Sequence, residues 1–280
     1  MRLSPQEFQQ WESKRITLLG MSGVGKTTLS NKLPHQAWFH YSGDYRIGTK
    51  YLAEPIVDNI KRQAMEVPFL RDLLRTDSIY IGSNITVENL APVSTFLGKL
   101  GNPGKGGLSL AEFKRRQALH HRAEIAAMRD VPEFIEKAQG IYGYRHFLND
   151  AGGSVCELDD VETLGILAEH TLILYIKATP EMEQTIIERA QRDPKPMYYR
   201  AAFLDENLPL FMAEKSYVDV AEIPPDEFVA WVFPRLFHSR LPRYQAIADR
   251  YGYTVDARDM AAVKNEEDFL AVVSKALGSQ

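Results

Sequence analysis

The residues best suited to chemistry lie in Gly20-Met21-Ser22-Gly23-Val24-Gly25-Lys26-Thr27-Thr28. Gly-x-x-x-x-Gly-Lys-Thr is the P-loop pattern, and a chance match in a chain of this length is about a 1% event. Such a loop turns main-chain N–H groups toward an anion, and the helix that follows adds positive potential. Glycines at 20, 23 and 25 permit backbone conformations and close phosphate approach that a Cβ would hinder. Ser22, Val24 and Thr28 complete the expected nucleotide cradle. Lys26 is the point charge for the β- and γ-phosphates, and the Thr27 hydroxyl is a Mg²⁺ ligand.

Two aspartates qualify as partners for that loop. Asp44 follows the apolar run Ala37-Trp38-Phe39-His40-Tyr41. In open α/β sheets ligands gather at the carboxyl ends of strands. An acid there can hold Mg²⁺ or take a proton from a substrate hydroxyl, or it can cap the next helix. Asp150 ends Tyr144-Arg145-His146-Phe147-Leu148-Asn149 and is followed by Ala151-Gly152-Gly153-Ser154. An apolar strand ending in aspartate suits a carboxylate that supports Mg²⁺. Arg46 is a candidate for a substrate anion. So is Arg115, within the dense run Lys114, Arg115, Arg116, His120, His121, Arg122, most of which reads as a solvated face. His120 and His121 have no metal-ligand spacing, so no structural zinc is expected. Arg189, Arg192 and Lys195, around Pro194 and Pro196, suit a cationic lid over phosphates.

Periodicity supplies the elements that would position these groups. Ser4-Pro5-Gln6-Glu7 is a capping box opening a helix to about Ser13. Strands are expected at 16–19, 37–41, 144–150, 171–176 and 253–255. Helices are expected at 28–33, 54–75 with breaks at Pro55 and Pro68, 109–129, 157–168, 180–191, 206–217, 226–237, 240–250 and 266–277. The glycine-rich stretch 98–107 reads as a flexible connection, or as a mobile lid. Strand–loop–helix alternation predicts an α/β, three-layer P-loop NTPase fold: a parallel sheet with helices on both faces, plus a helical insertion. Residues 1–280 form a single kinase-like domain in this reading, with insertions at about 76–140 and a lid plus helical segment at about 192–237.

At 280 residues, 45% hydrophobic and 25% charged, the composition is that of a globular enzyme. The net charge of −4 argues against bulk nucleic-acid binding. The single cysteine, Cys156, excludes an intramolecular disulfide and suits a reducing compartment. No apolar run approaches the ~18 residues of a membrane span, and no signal segment opens the chain. The expected location is the cytoplasm.

Four stretches also fall in a familiar order. They are the P-loop, Asn149-Asp150-Ala151-Gly152-Gly153-Ser154-Val155, Glu188-Arg189-Ala190-Gln191-Arg192-Asp193, and Arg240-Leu241-Pro242-Arg243-Tyr244-Gln245-Ala246-Ile247-Ala248. The chain thus resembles the P-loop small-molecule kinase group that includes shikimate and gluconate kinases, over about half its length. The resemblance implies that Gly152 and Gly153 touch the acceptor, Arg189 lies by the adenine, Arg192 and Lys195 belong to the lid, and Arg240 binds an acceptor anion. Departures are a lone Asp44 in place of Asp-x-Asp, Ala151 in place of the first glycine of a triple, and Lys195-Pro196-Met197-Tyr198 in the lid. They argue against shikimate itself.

The expected activity is transfer of the γ-phosphoryl group of ATP, with Mg²⁺, to an oxygen of a small, anionic metabolite. The catalytic set is Lys26, Asp44, Asp150 and Arg192, with metal ligands Thr27 and Asp150. Alternatives are a P-loop ATPase that works as a switch with a protein partner, and a kinase for nucleotides or nucleic-acid ends.

Overall fold

The computed structural model describes residues 1–279. In chain order the elements are α1 (Pro5–Gln10), β1 (Arg15–Leu19), α2 (Lys26–Ser30), β2 (Trp38–Ser42), α3 (Gly43–Arg46), α4 (Ala53–Ala64), α5 (Pro68–Arg75), α6 (Ala91–Leu97), α7 (Leu110–Arg129), α8 (Val131–Gly140), β3 (His146–Asp150), α9 (Val161–His170), β4 (Leu172–Lys177), α10 (Pro180–Arg192), α11 (Ala201–Lys215), α12 (Pro225–Tyr251), β5 (Gly252–Asp256), α13 (Ala257–Ala262) and α14 (Glu266–Gly278). The strands form one parallel sheet in the order β2-β3-β1-β4-β5. With its helices it makes a three-layer α/β P-loop fold.

The central strands are buried on both faces, as a parallel sheet requires. Ile16, Leu18 and Leu19 of β1 and Leu172 to Ile176 of β4 are in the core. The one polar residue inside β1, Thr17, is matched: its hydroxyl lies 2.8 Å from that of Thr171 and accepts from Asn149 at 3.2 Å. In the register Leu18 pairs with Asp150, and Asp150 with Ser42. The carboxyl ends of β1, β2 and β3 therefore come out level, which brings the P-loop, Asp44 and Asp150 to the same edge of the sheet.

Several helix limits differ from expectation for identifiable reasons. Pro55 does not break α4; it lies in the first turn, where a missing N–H costs no helical bond. The expected helices 226–237 and 240–250 are one continuous α12 with Pro234 and Pro242 inside it. Each interior proline opposes the helix by about 3 kcal/mol. The buried run Phe228, Val229, Val232, Phe233, Leu236, Phe237, Tyr244 and Ile247 offsets that cost. Helices α3, α6, α8 and α13 lie outside the helices expected from the sequence. Gly98 to Gly107 neither hangs free nor covers the P-loop. It folds back through a parallel bridge between Leu100 and Leu108, and a Cβ on Gly101 would stand 2.5 Å from the Ile223 carbonyl.

The apolar interior has two parts. The larger surrounds the sheet. A second, of Leu100, Phe113, Tyr199, Phe203, Leu204, Leu208, Phe211, Ile223, Phe228, Val232 and Leu236, joins the residues before α7 to α11 and the first half of α12. No helix among the described residues is long and apolar enough to cross a membrane.

Candidate active site

The P-loop leaves β1 and enters α2 through Gly25, whose φ of 97° lies in the left-handed region that favours glycine. Because α2 spans only Lys26–Ser30, anion affinity here rests more on loop amides and Lys26 than on a long helix dipole. Lys26 is 8% exposed. Its ammonium donates to the carbonyls of Gly20 at 2.7 Å and Met21 at 3.3 Å, curled against its own loop. Burial lowers its pKa, and Asp150 and Asp44 oppose that shift.

Asp150 sits at the tip of β3, where its Oδ2 accepts from the Thr27 hydroxyl at 2.6 Å. His40 Nε2 stands 3.7 Å from the same oxygen, too far for a hydrogen bond. Burial favours the protonated acid, but His40, Lys26 and the Thr27 hydroxyl outweigh it and hold Asp150 below its ordinary pKa. It is therefore ionised at neutral pH. A hydroxyl and a carboxylate in contact are hard oxygen donors. They fit a Mg²⁺ ion that takes one or two protein ligands and fills the rest of its shell with phosphate and water.

Asp44 lies in the first turn of α3. The cap of that helix is Ser42, whose Oγ accepts from the Tyr45 N–H at 3.3 Å. Asp44 is thus not needed as a cap. Burial and then the Asp150 carboxylate raise its pKa to about 6, against the pull of Lys26.

Gly152 and Gly153 carry β3's exit beneath the P-loop. A Cβ on Gly153 would lie 3.1 Å from the Ser22 nitrogen, and one on Gly152 would lie 2.8 Å from Asp44 Oδ1. Side chains at these positions would push into the loop and into the carboxylate. Across the cleft, Arg189 of α10 brings its guanidinium to the P-loop, 2.5 Å from where a Cβ on Gly23 would be. Arg192 is exposed, at the end of α10. Lys195 pairs with Asp193 at 3.3 Å on the surface.

The cations nominated for an acceptor anion are placed differently from that expectation. Arg46 Nε donates to Asp130 at 2.7 Å, and its guanidinium lies over the Phe134 ring. Arg115 makes a two-pronged pair with Glu112, both bonds at 2.8 Å, on the solvent side of α7. Arg240 is 5% exposed and held from several sides. It donates to Glu157 at 2.9 and 2.6 Å and to the carbonyls of Gly153 and Tyr198. It ties β3's exit to the segment before α11, and its charge is met by Glu157. The sequence pattern located Arg240 beside the glycines but could not show that a buried glutamate already neutralises it.

Sequence reasoning also missed the inner face of α7. Arg116, Gln117, His120 and Glu124 are all buried there. A polar row at 116, 120 and 124, spaced four apart on one helix, is the signal that was available. Glu124 is 0% exposed and accepts from Ser154 Oγ at 2.7 Å. Burial, reinforced by Asp44, raises its pKa to about 8 despite that bond. Burial, with Arg240 and His121, lowers His120 to about 4. The Tyr198 ring stacks on His120 at 5.3 Å and on His121 at 6.0 Å. It also lines a cavity of about 480 Å³ with Gln117, His121, Glu157 and Arg200. A smaller cavity of about 200 Å³ adjoins Gly23, Gly25 and Thr28, walled by Met182 and Met260.

No family model matches the chain, and no curated protein matches it. Among solved structures it is similar to a shikimate kinase from Bacteroides thetaiotaomicron, at 13% identity and a TM-score of 0.37, over 94% of this chain and 95% of that one. It is also similar to a shikimate kinase from Acinetobacter baumannii in complex with shikimate, at 16% identity and a TM-score of 0.38, over 91% of this chain and 92% of that one. Scores this low add nothing to the geometry above. The three-layer α/β P-loop fold rests on the parallel sheet and on the loop between β1 and α2.

Proposed function

We propose that the protein is a Mg-ATP-dependent phosphotransferase acting on a hydroxyl of a small molecule. One observation carries this reading: Lys26, the Thr27–Asp150 pair and Asp44 converge at one edge of the sheet, with only glycine between Asp44 and the exit of β3. Loop amides and Lys26 would bind the phosphates, and Lys26 would leave its own carbonyls for them. The slot between Met182 and Met260 gives the nucleotide base apolar walls beside the loop. Thr27 and Asp150 would hold Mg²⁺, which when bound neutralises charge on the phosphates and fixes their orientation. Asp44 would accept the proton of the acceptor hydroxyl as its oxygen bonds to the γ-phosphorus and the bond to the β-phosphate oxygen breaks, releasing ADP. A pKa near 6 leaves Asp44 ionised at neutral pH and a better base than an ordinary aspartate. Arg189, whose guanidinium reaches the P-loop, would meet charge on the phosphates, and Arg192 at the end of the same helix would add a second cation on closure.

The test is mass spectrometry of a metabolite mixture incubated with ATP, Mg²⁺ and the protein. The expected result is a metabolite that gains one phosphate as ADP forms, with none formed by Lys26→Ala. ADP formation with no phosphorylated metabolite would instead support a simple ATPase.

A further inference from the structure

Gly152 lies between two carboxyl groups. A single methyl carbon placed on it would stand 2.8 Å from Asp44 Oδ1 and 2.8 Å from Glu124 Oε1. Both acids therefore address the same small space above the β3 exit. One oxygen of Glu124 is committed to Ser154. The other, Oε1, is buried and has no hydrogen-bond partner. His120 Nδ1, 3.8 Å from Glu124 Oε2, is likewise buried and unpartnered. Groups buried this deeply are normally satisfied by protein, water or a ligand, and Glu124 Oε1 faces the space beside Asp44. The nearby cation that could have met Glu124 is Arg240, and its bonds go to Glu157, Gly153 and Tyr198.

We infer that Glu124 is a binding residue for the acceptor, holding it beside the hydroxyl that faces Asp44, and that the acceptor presents a second hydroxyl there, not a carboxylate. The inference rests on the phosphotransferase reading. The chemistry of the corner carries it. A carboxylate in that space would lie against Asp44 with no unpaired cation on Glu124's side, since Arg46, Arg115 and Arg240 are paired with Asp130, Glu112 and Glu157. Burial keeps Glu124 protonated at neutral pH, so its free oxygen exchanges a hydrogen bond with a neutral hydroxyl and leaves the reacting hydroxyl on the Asp44 side. A vicinal diol has that shape.

The experiment separates a metabolite extract by ion exchange before reaction. One portion is retained on anion exchanger, one is retained on cation exchanger, and one passes both. Each is incubated with ATP, Mg²⁺ and the full chain, and phosphorylated products are read by mass spectrometry. Products from the neutral portion are expected. Products confined to the anionic or cationic portions would overturn the inference while leaving the phosphotransferase reading intact. No product from any portion would overturn both. With the acceptor so found, Glu124→Leu, which removes the hydrogen-bonding group, should raise its KM about tenfold or more and leave the KM for ATP within about twofold. An unchanged acceptor KM would remove Glu124 from the binding site.

Discussion

The Thr27 hydroxyl donates to the Asp150 carboxylate across 2.6 Å, joining the P-loop to the tip of β3. The loop and the strand end are thus fixed in relation to each other by a charge-assisted bond. Thr27→Ala should weaken Mg²⁺ dependence: the Mg²⁺ concentration for half-maximal activity should rise about tenfold, as titration at saturating ATP would show.

Lys26→Ala should lower kcat/KM by about 10²–10³-fold, because the phosphates lose their buried point charge. The fold should survive, since the ammonium bonds only to its own loop. Circular dichroism and turnover measured on the same preparation would check both halves.

Asp44→Asn should retain ATP binding and lose about 10²–10⁴-fold in transfer. In the wild type kcat/KM should rise with pH through about 6, because burial and Asp150 hold the Asp44 proton to that point and only the ionised form accepts a proton. A pH–rate profile that is flat between 5 and 7 would exclude Asp44 as the base.

Arg240→Ala should destabilise the protein by about 3–5 kcal/mol, leaving Glu157 buried without its cation. Glu157 is 1% exposed, so water cannot replace the guanidinium. Arg115→Ala, which removes only a surface pair, should cost no more than about 1 kcal/mol. Chemical denaturation of the two variants side by side makes the comparison.

Glu124 raises a stability question with a definite sign. Its folded pKa of about 8 exceeds the ordinary 4.5, so the folded protein binds this proton more tightly than the unfolded chain. Its contribution is full below about 4.5 and is lost as pH rises toward 8. Glu124→Gln keeps the shape and removes the titration. Its Tm should match the wild type near pH 4.5 and exceed it at pH 8 by at least about 2–4 °C. Thermal melts at both values decide it.

Much of this arrangement was legible in the chain. Gly20 to Thr28 and the strand-end positions of Asp44 and Asp150 could be read because each depends on short-range pattern: a loop motif, or an apolar run with an acid after it. Arg46, Arg115 and Arg240 could not be placed the same way. A cation's role depends on which acid folding brings to it, and Glu157 is 83 residues from Arg240. Glu124 was hidden because a glutamate on a helix rich in Arg and His reads as surface until the packing shows it inside. The continuity of α12 was hidden by Pro242, whose local penalty is outweighed by apolar contacts made far along the sequence.

Helix α12 belongs to both apolar interiors: Phe228, Val232 and Leu236 lie in one, and Phe237, Tyr244, Ile247 and Ala248 in the other. Between them Arg240 grips the β3 exit, and Tyr244 donates to the Gly20 carbonyl at 3.2 Å. The helical segment packed on the first half of α12 is therefore not a detachable accessory. Cutting it away would strip one side of the same rod that braces the nucleotide loop, so a trimmed version should lose the loop's support together with the removed residues.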